Sequence, residues 1–220
     1  MSKRGAVTTL AMAALTAVGL GSCDSAETHE VFSVADVVDE VVVLTDAGHL
    51  ELVAGDTVRI ERVSRGWKGS LALSTRVEDG VLFLTARCKR VFGCQVNTRL
   101  TLPPSVPVTA EVGDGSITAV GLDGSLDLSV GTGFVAGEAL RAPELLVLVG
   151  AGHTSLSLDA ADDVHVLVAS GDADVELPAG AYDLALDAGG GTLNVSGIED
   201  DGDAPLEVMA AAGLVNVTGR

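Results

Sequence analysis

Residues 145–158 read LLVLVGAGHTSLSL: five apolar residues, a glycine turn, a histidine, then small and apolar residues in alternation. A glycine loop that cradles phosphate needs a helix N-terminus behind it, where free N–H groups and the helix dipole meet the anion. Behind this turn the residues alternate with the period of a strand, and no lysine follows. The glycines therefore serve a sharp corner, where positive φ or close approach of two backbones leaves no room for a Cβ.

The stretch has five siblings. Aligned on the turn they are VTAEVGDGSITAV (108–120), LDLSVGTGFVAGE (126–138), VHVLVASGDADVEL (164–177), LALDAGGGTLNVSG (184–197) and LEVMAAAGLVNVTG (206–219). The six turns begin at Gly113, Gly131, Gly150, Ala169, Gly189 and Ala211, at separations of 18, 19, 19, 20 and 22 residues, a repeat of the solenoid kind. Positions five, three and one before the turn are apolar in every unit, as in Leu145, Val147 and Val149. After the turn two weaker inward columns continue, through Thr154 and Leu156 in the same unit. One face points in and one mostly out. No unit can bury its apolar face alone, so only stacking closes the core.

The expected fold is all-β: a β-solenoid, single-stranded and right-handed β-helix-like, of strand–glycine turn–strand repeats about 18–22 residues long. Successive units stack about 4.8 Å apart, so six make a rod of roughly 30 Å. Residues 108–220 form the regular coils. Residues 41–107 form a strand-rich N-terminal part, with strand–turn–strand at 41–53 and a hairpin turn at Glu78-Asp79-Gly80. Pro103, Pro104 and Pro107 mark the passage into the coils.

Composition bounds the rest. The 220 residues carry 13 Lys and Arg against 31 Asp and Glu, a net charge of −18. Nucleic acid phosphates would be repelled, so no nucleic acid partner is expected. Only six residues are aromatic, so a sugar-stacking groove is not expected. No cofactor is implied.

The first 22 residues stand apart: Lys3 and Arg4 precede an apolar stretch, Ala6–Leu20, and small residues lead into Cys23. This is a secretory signal, too short to span a membrane and stay. Leu20-Gly21-Ser22-Cys23 resembles a bacterial lipobox. That resemblance implies acylation of Cys23, which would tie the protein to a membrane it does not cross. Residues 23–40 read as a tether ending in a possible short helix. The expected location is the exported, lipid-anchored side of a bacterial cell envelope. In that oxidising setting Cys88 and Cys94, in CKRVFGC, suit a disulfide whose short loop contributes about 2 kcal/mol.

The strand–turn–strand at 41–53, the TLPPSVPV stretch at 101–108 and the turns in VGDGSITAVGL, VGTGFVAG and VGAGHTSL together resemble a bacterial "putative adhesin" family of exported β-solenoid proteins. The resemblance covers residues 41–220. It implies an architecture and an adhesin-like role, and it carries no catalytic residues. The CKRVFGC loop and the turns at Ala169 and Ala211 depart from the pattern.

Several side chains invite a chemical reading. His153 and Asp172 share an outward column, with Ser155 and Asp174 beside them, but a flat solvated sheet offers no oxyanion hole. Asp200, Asp201 and Asp203 around Gly202 suit calcium in chemistry and not in spacing. Nine cationic residues lie between Arg59 and Arg99. Among them Arg65, Trp67 and Lys68 form a candidate site for an anionic envelope polymer, with simple pairing to the acidic half as the competing reading. Leu146, Leu148, Leu167 and Met209 interrupt an otherwise polar outward face and form a candidate partner patch, with cover by residues 54–100 the favoured explanation. The expected function is a lipid-anchored, non-catalytic binding or structural module. The alternative is a calcium-dependent polysaccharide-cleaving β-helix enzyme.

Overall fold

A computed structural model describes residues 25–67, 69–89, 93–160 and 162–220. The leader, Cys23 and Lys68 lie outside the described residues. Among those described, every regular element is a strand. In the N-terminal part these are β1 (Ser25–Ser33), β2 (Glu40–Ala54), β3 (Arg59–Trp67), β4 (Leu71–Glu78), β5 (Val81–Cys88) and β6 (Gln95–Leu102). The repeats supply β7 (Val108–Val120), β8 (Leu126–Leu140), β9 (Glu144–Leu158) and β10 (Asp163–Leu177). The last two supply β11 (Gly180–Asp187), β12 (Thr192–Ser196), β13 (Ile198–Ala210) and β14 (Leu214–Gly219).

All fourteen belong to one sheet. Strands β2, β7, β8, β9 and β10 run unbroken through their turn glycine, so each is a bent strand with two arms. The arms before the bend neighbour one another in the order β4-β5-β2-β7-β8-β9-β10-β13-β11. The arms after it follow β1-β3-β6-β2-β7-β8-β9-β10-β14-β12. Pairing is parallel from β5 and β6 through to β11 and β12. At the N-terminal end β4, β3 and β1 add antiparallel strands. The inward columns of both arms merge into one apolar core that runs from Val34 to Val217.

The register between β7 and β10 follows the turn alignment: Val108, Leu126, Leu145 and Val164 stand side by side, as do Ile117, Val135, Thr154 and Ala173. The last two repeats do not stack in chain order. Val164 pairs with Leu206, and Leu184 lies beyond Leu206, so the final repeat is inserted between the fourth and the fifth. Either order keeps the same apolar columns continuous, and for that reason the columns alone did not distinguish them. The consequence is visible in burial. Fourth- and sixth-repeat inward side chains are covered, whereas Leu184 and Leu186 are half-buried and Leu193 and Val195 are 43% and 42% exposed.

The turns are built on their last glycine. Gly48, Gly115, Gly133, Gly152, Gly171 and Gly213 all have φ between 128° and 153°. A Cβ at Gly115, Gly133, Gly152 or Gly171 would overlap the carbonyl oxygen of the equivalent glycine one strand back. At the first turn position Gly113, Gly131 and Gly150 have ordinary φ but lie close to the neighbouring turn's backbone, and Gly189 has φ of 56°. Ala169 and Ala211 hold this position without positive φ. These two turns depart from the pattern at their first position and keep its last glycine, Gly171 and Gly213, at positive φ.

Two further expectations change. Residues 25–33, read as part of a tether, form β1 and pair along their whole length with β3, and no helix follows them. The strand period was masked because its inner row is Thr28, Glu30 and Phe32, two of them polar. The described residues between 54 and 100 do not fold over the outward face. They extend the sheet past β2, several strands from Leu148. The Asp79-Gly80 hairpin turn joins β4 to β5 with φ of 52° and 83°.

Candidate functional site

The outward row four residues ahead of the last turn glycine carries the most unusual side chains. Leu148, Leu167 and Met209 come from β9, β10 and β13 and are directly paired in register. Leu167 is 41% exposed, and Leu148 and Met209 are half-buried. Leu146 lies two residues from Leu148 on the same face and is paired with His165. The structure thus brings all four patch residues together on one outward face. A flat parallel sheet aligns equal positions of neighbouring strands about 4.8 Å apart, so the four form one apolar surface.

At Leu146 the patch adjoins a shallow groove of about 330 Å³, lined among others by Leu126, Asp127, Glu144, Asp163 and His165. His165 is held by two carboxylates: Nε2 is 2.9 Å from Asp163 and Nδ1 is 2.5 Å from Glu207. The groove lining thus combines apolar side chains with three carboxylates, Asp127, Glu144 and Asp163.

The hydrolase-like set does not assemble. His153 is in register with Asp172 and Ser155 with Asp174. However, Asp172 accepts a hydrogen bond from the Leu214 amide at 2.8 Å, and Asp174 accepts one from Asn216. His153 stacks instead on Phe134, ring centroids 5.3 Å apart. Sequence reasoning missed a closer pair, His49 Nδ1 and Ser116 Oγ at 2.6 Å. Both follow the turn glycine directly, so extending the columns back to β2 finds them. Asn97 Oδ1 accepts from the His49 backbone amide at 3.1 Å, and among the described residues no carboxylate is hydrogen-bonded to the His49 ring as the orienting acid of a triad is.

Several described arginines of the basic cluster are paired with nearby acids. Arg65 lies 2.5 Å from Glu27, Arg87 2.8 Å from Asp46 and Arg99 2.7 Å from Glu51. These acids come from β1 and β2, not from the C-terminal half. Arg65 of the candidate anion site is therefore already paired, while Trp67 beside it is 48% exposed. Arg62 is the buried member, with its side chain 4% exposed, 3.9 Å from Glu30 and 3.3 Å from Thr75 Oγ1. Burial pushes its pKa down, and Glu30 partly opposes that.

Cys88 and Cys94 are joined in a disulfide. The acidic run at 199–203 is not a loop but the start of β13, where Asp200 accepts a hydrogen bond from the Leu184 amide at 3.2 Å. Among the described residues no three His, Cys, Asp or Glu side chains gather as a metal site would require.

No protein-family model matches the chain, and no curated protein matches it in sequence. Solved structures do. A Clostridium sporogenes protein described as a "putative cell adhesion protein" superposes with a TM-score of 0.50 at 13% identity, over 89% of this chain and 100% of its own. A "putative adhesin" of Parabacteroides merdae gives 0.36 at 12%, over 87% and 95%. One from Bacteroides fragilis gives 0.29 at 8%, over 89% and 97%. The first of these likenesses shows a shared all-β fold.

Proposed function

We propose that this chain is a β-solenoid binding or structural module of the bacterial cell envelope, adhesin-like and non-catalytic, held to a membrane through acylated Cys23. Support for the solenoid comes from bent strands in parallel register with their turn glycines superposed. The fold shared with a protein described as a "putative cell adhesion protein" supports the adhesin-like role.

The observation that carries the reading is the open row Leu148–Leu167–Met209. Apolar side chains contiguous on a rigid, otherwise polar sheet mark an interaction surface, and the groove beside it lacks an assembled nucleophile and base. The test is the double substitution Leu148→Ser with Leu167→Ser. Binding of the purified protein to bacterial envelope fractions should fall at an unchanged melting temperature. Equal binding by the double variant, or turnover of an envelope polysaccharide by the wild type, would sink the proposal.

A further inference from the structure

The two ends of the sheet are finished differently, and we infer that the C-terminal end is an interface for a second copy of this chain. At the N-terminal end antiparallel strands close both arms, β4 on β5 and then β3 and β1 on β6. Behind that closure Leu82, Leu84, Ile60 and Leu100 are fully buried. At the other end β11 and β12 are the last strands, and no described strand pairs with their outer edges. Leu193 and Val195 stand exposed in columns that are covered from β7 to β10.

Native edge strands are usually blunted by charge, proline or a bulge. Strand β12, Thr192–Ser196, has no charged residue and no proline, and pairs with β14 in unbroken register. An amide ladder also leads to this edge: Asn216 donates to Asp174, and Asn194 Nδ2 donates to Asn216 Oδ1 at 2.8 Å. Strand β11 differs, with Asp183 and Asp187 in its outward row and a register shift just before Asp183.

A second copy fits this edge in one way. A two-fold axis through the bend at 189–191 lays β12 antiparallel on the partner's β11, and β11 on the partner's β12. Leu186 then meets the partner's Leu193, and Leu184 meets the partner's Val195, so the open end of the core is covered. In the outward row Asp187 meets the partner's Thr192, and Asp183 meets the partner's Ser196. Acids face neutral hydroxyls. Laying β11 on the partner's β11 would instead oppose like charges, which is destabilising. The N-terminal end cannot serve as the mate, because its two arms are stepped: one runs two strands past β2, the other three. Both C-terminal arms finish level, two strands past β10.

The interface lies at the end of the sheet and shares no residue with the Leu148 row, so the two proposals stand or fall separately. Sedimentation velocity of the full chain in density-matched detergent tests it. A concentration-dependent monomer–dimer equilibrium is expected, and Val195→Lys should weaken the dimer by about tenfold or more. The charge test is specific. Thr192→Asp, placed against the partner's Asp187, should weaken the dimer about fivefold, and Thr192→Lys should tighten it by a similar factor. Thr192 is exposed, so both variants should keep the wild-type melting temperature. A protein monomeric at every concentration reached, assemblies growing past dimer, or a dimer weakened by both Thr192 substitutions would overturn the inference.

Discussion

Gly213 lies directly against Gly171: a Cβ at position 213 would overlap the Gly171 carbonyl oxygen, although a whole repeat separates the two in sequence. The same overlap recurs between Gly152 and Gly133. Gly152→Ala should therefore cost about 3 kcal/mol or more, from positive φ and steric overlap together. Ala151→Gly, one residue earlier and exposed, should cost under about 1 kcal/mol. Denaturant unfolding of the two variants checks the contrast, and comparable losses would refute the glycine ladder.

Val147 is fully buried between Leu128 and Val166, its register partners on either side. Val147→Asp would bury an unpaired carboxylate and should unfold the domain, while Ser129→Asp on the outward row should be nearly silent. Circular dichroism at ambient temperature separates these outcomes.

Thr154 occupies an inward column otherwise filled by Ile117, Val135, Ala173 and Val215, and its hydroxyl is buried without a hydrogen-bond partner. Thr154→Val keeps the shape and removes the orphaned hydroxyl. It should raise stability by about 1 kcal/mol, read as a higher denaturant midpoint at unchanged slope.

The only tyrosine, Tyr182, is buried and donates a hydrogen bond to the Pro178 carbonyl at 2.7 Å. Burial raises its pKa above the ordinary 10.0. The folded state therefore holds the phenol proton where the unfolded state has lost it, and stability should fall as pH rises above about 10. The phenolate absorbance reports this one group alone. Its appearance at or below the ordinary value in the folded protein would contradict the burial, and Tyr182→Phe should remove that part of the alkaline loss.

Cys23 ends the lipobox-like stretch. Cys23→Ser should release the protein from membranes and abolish fatty-acid labelling, and a wild type that stays soluble and unlabelled would exclude the anchor.

Much of the architecture was legible because one physical demand repeats. Each unit must present apolar residues at fixed offsets from a corner, so Leu145, Val147 and Val149 predict their neighbours' faces. Layer order was not legible, since Leu206 and Leu184 satisfy the same column equally well. The turn position that needs glycine is legible across the six units, since ASG and AAG keep only the last glycine, and positive φ there gives the reason. Among candidate site residues, the patch row followed from the columns. The pairing of Arg65 with Glu27 did not, because β1 was read as tether, and strand partners distant in sequence leave no local pattern.

The two ends of the molecule also set a direction. Ser25 begins the outermost strand at one end, and β12 is outermost at the other, nine strand intervals away. At about 4.8 Å each the distance is roughly 45 Å. A chain tethered by its N-terminus would hold its bare edge away from the tether, like the tip of a short mast. Two such masts meeting tip to tip carry their tethers on opposite sides of the joint, so the contact would bridge two facing surfaces rather than cluster neighbours on one.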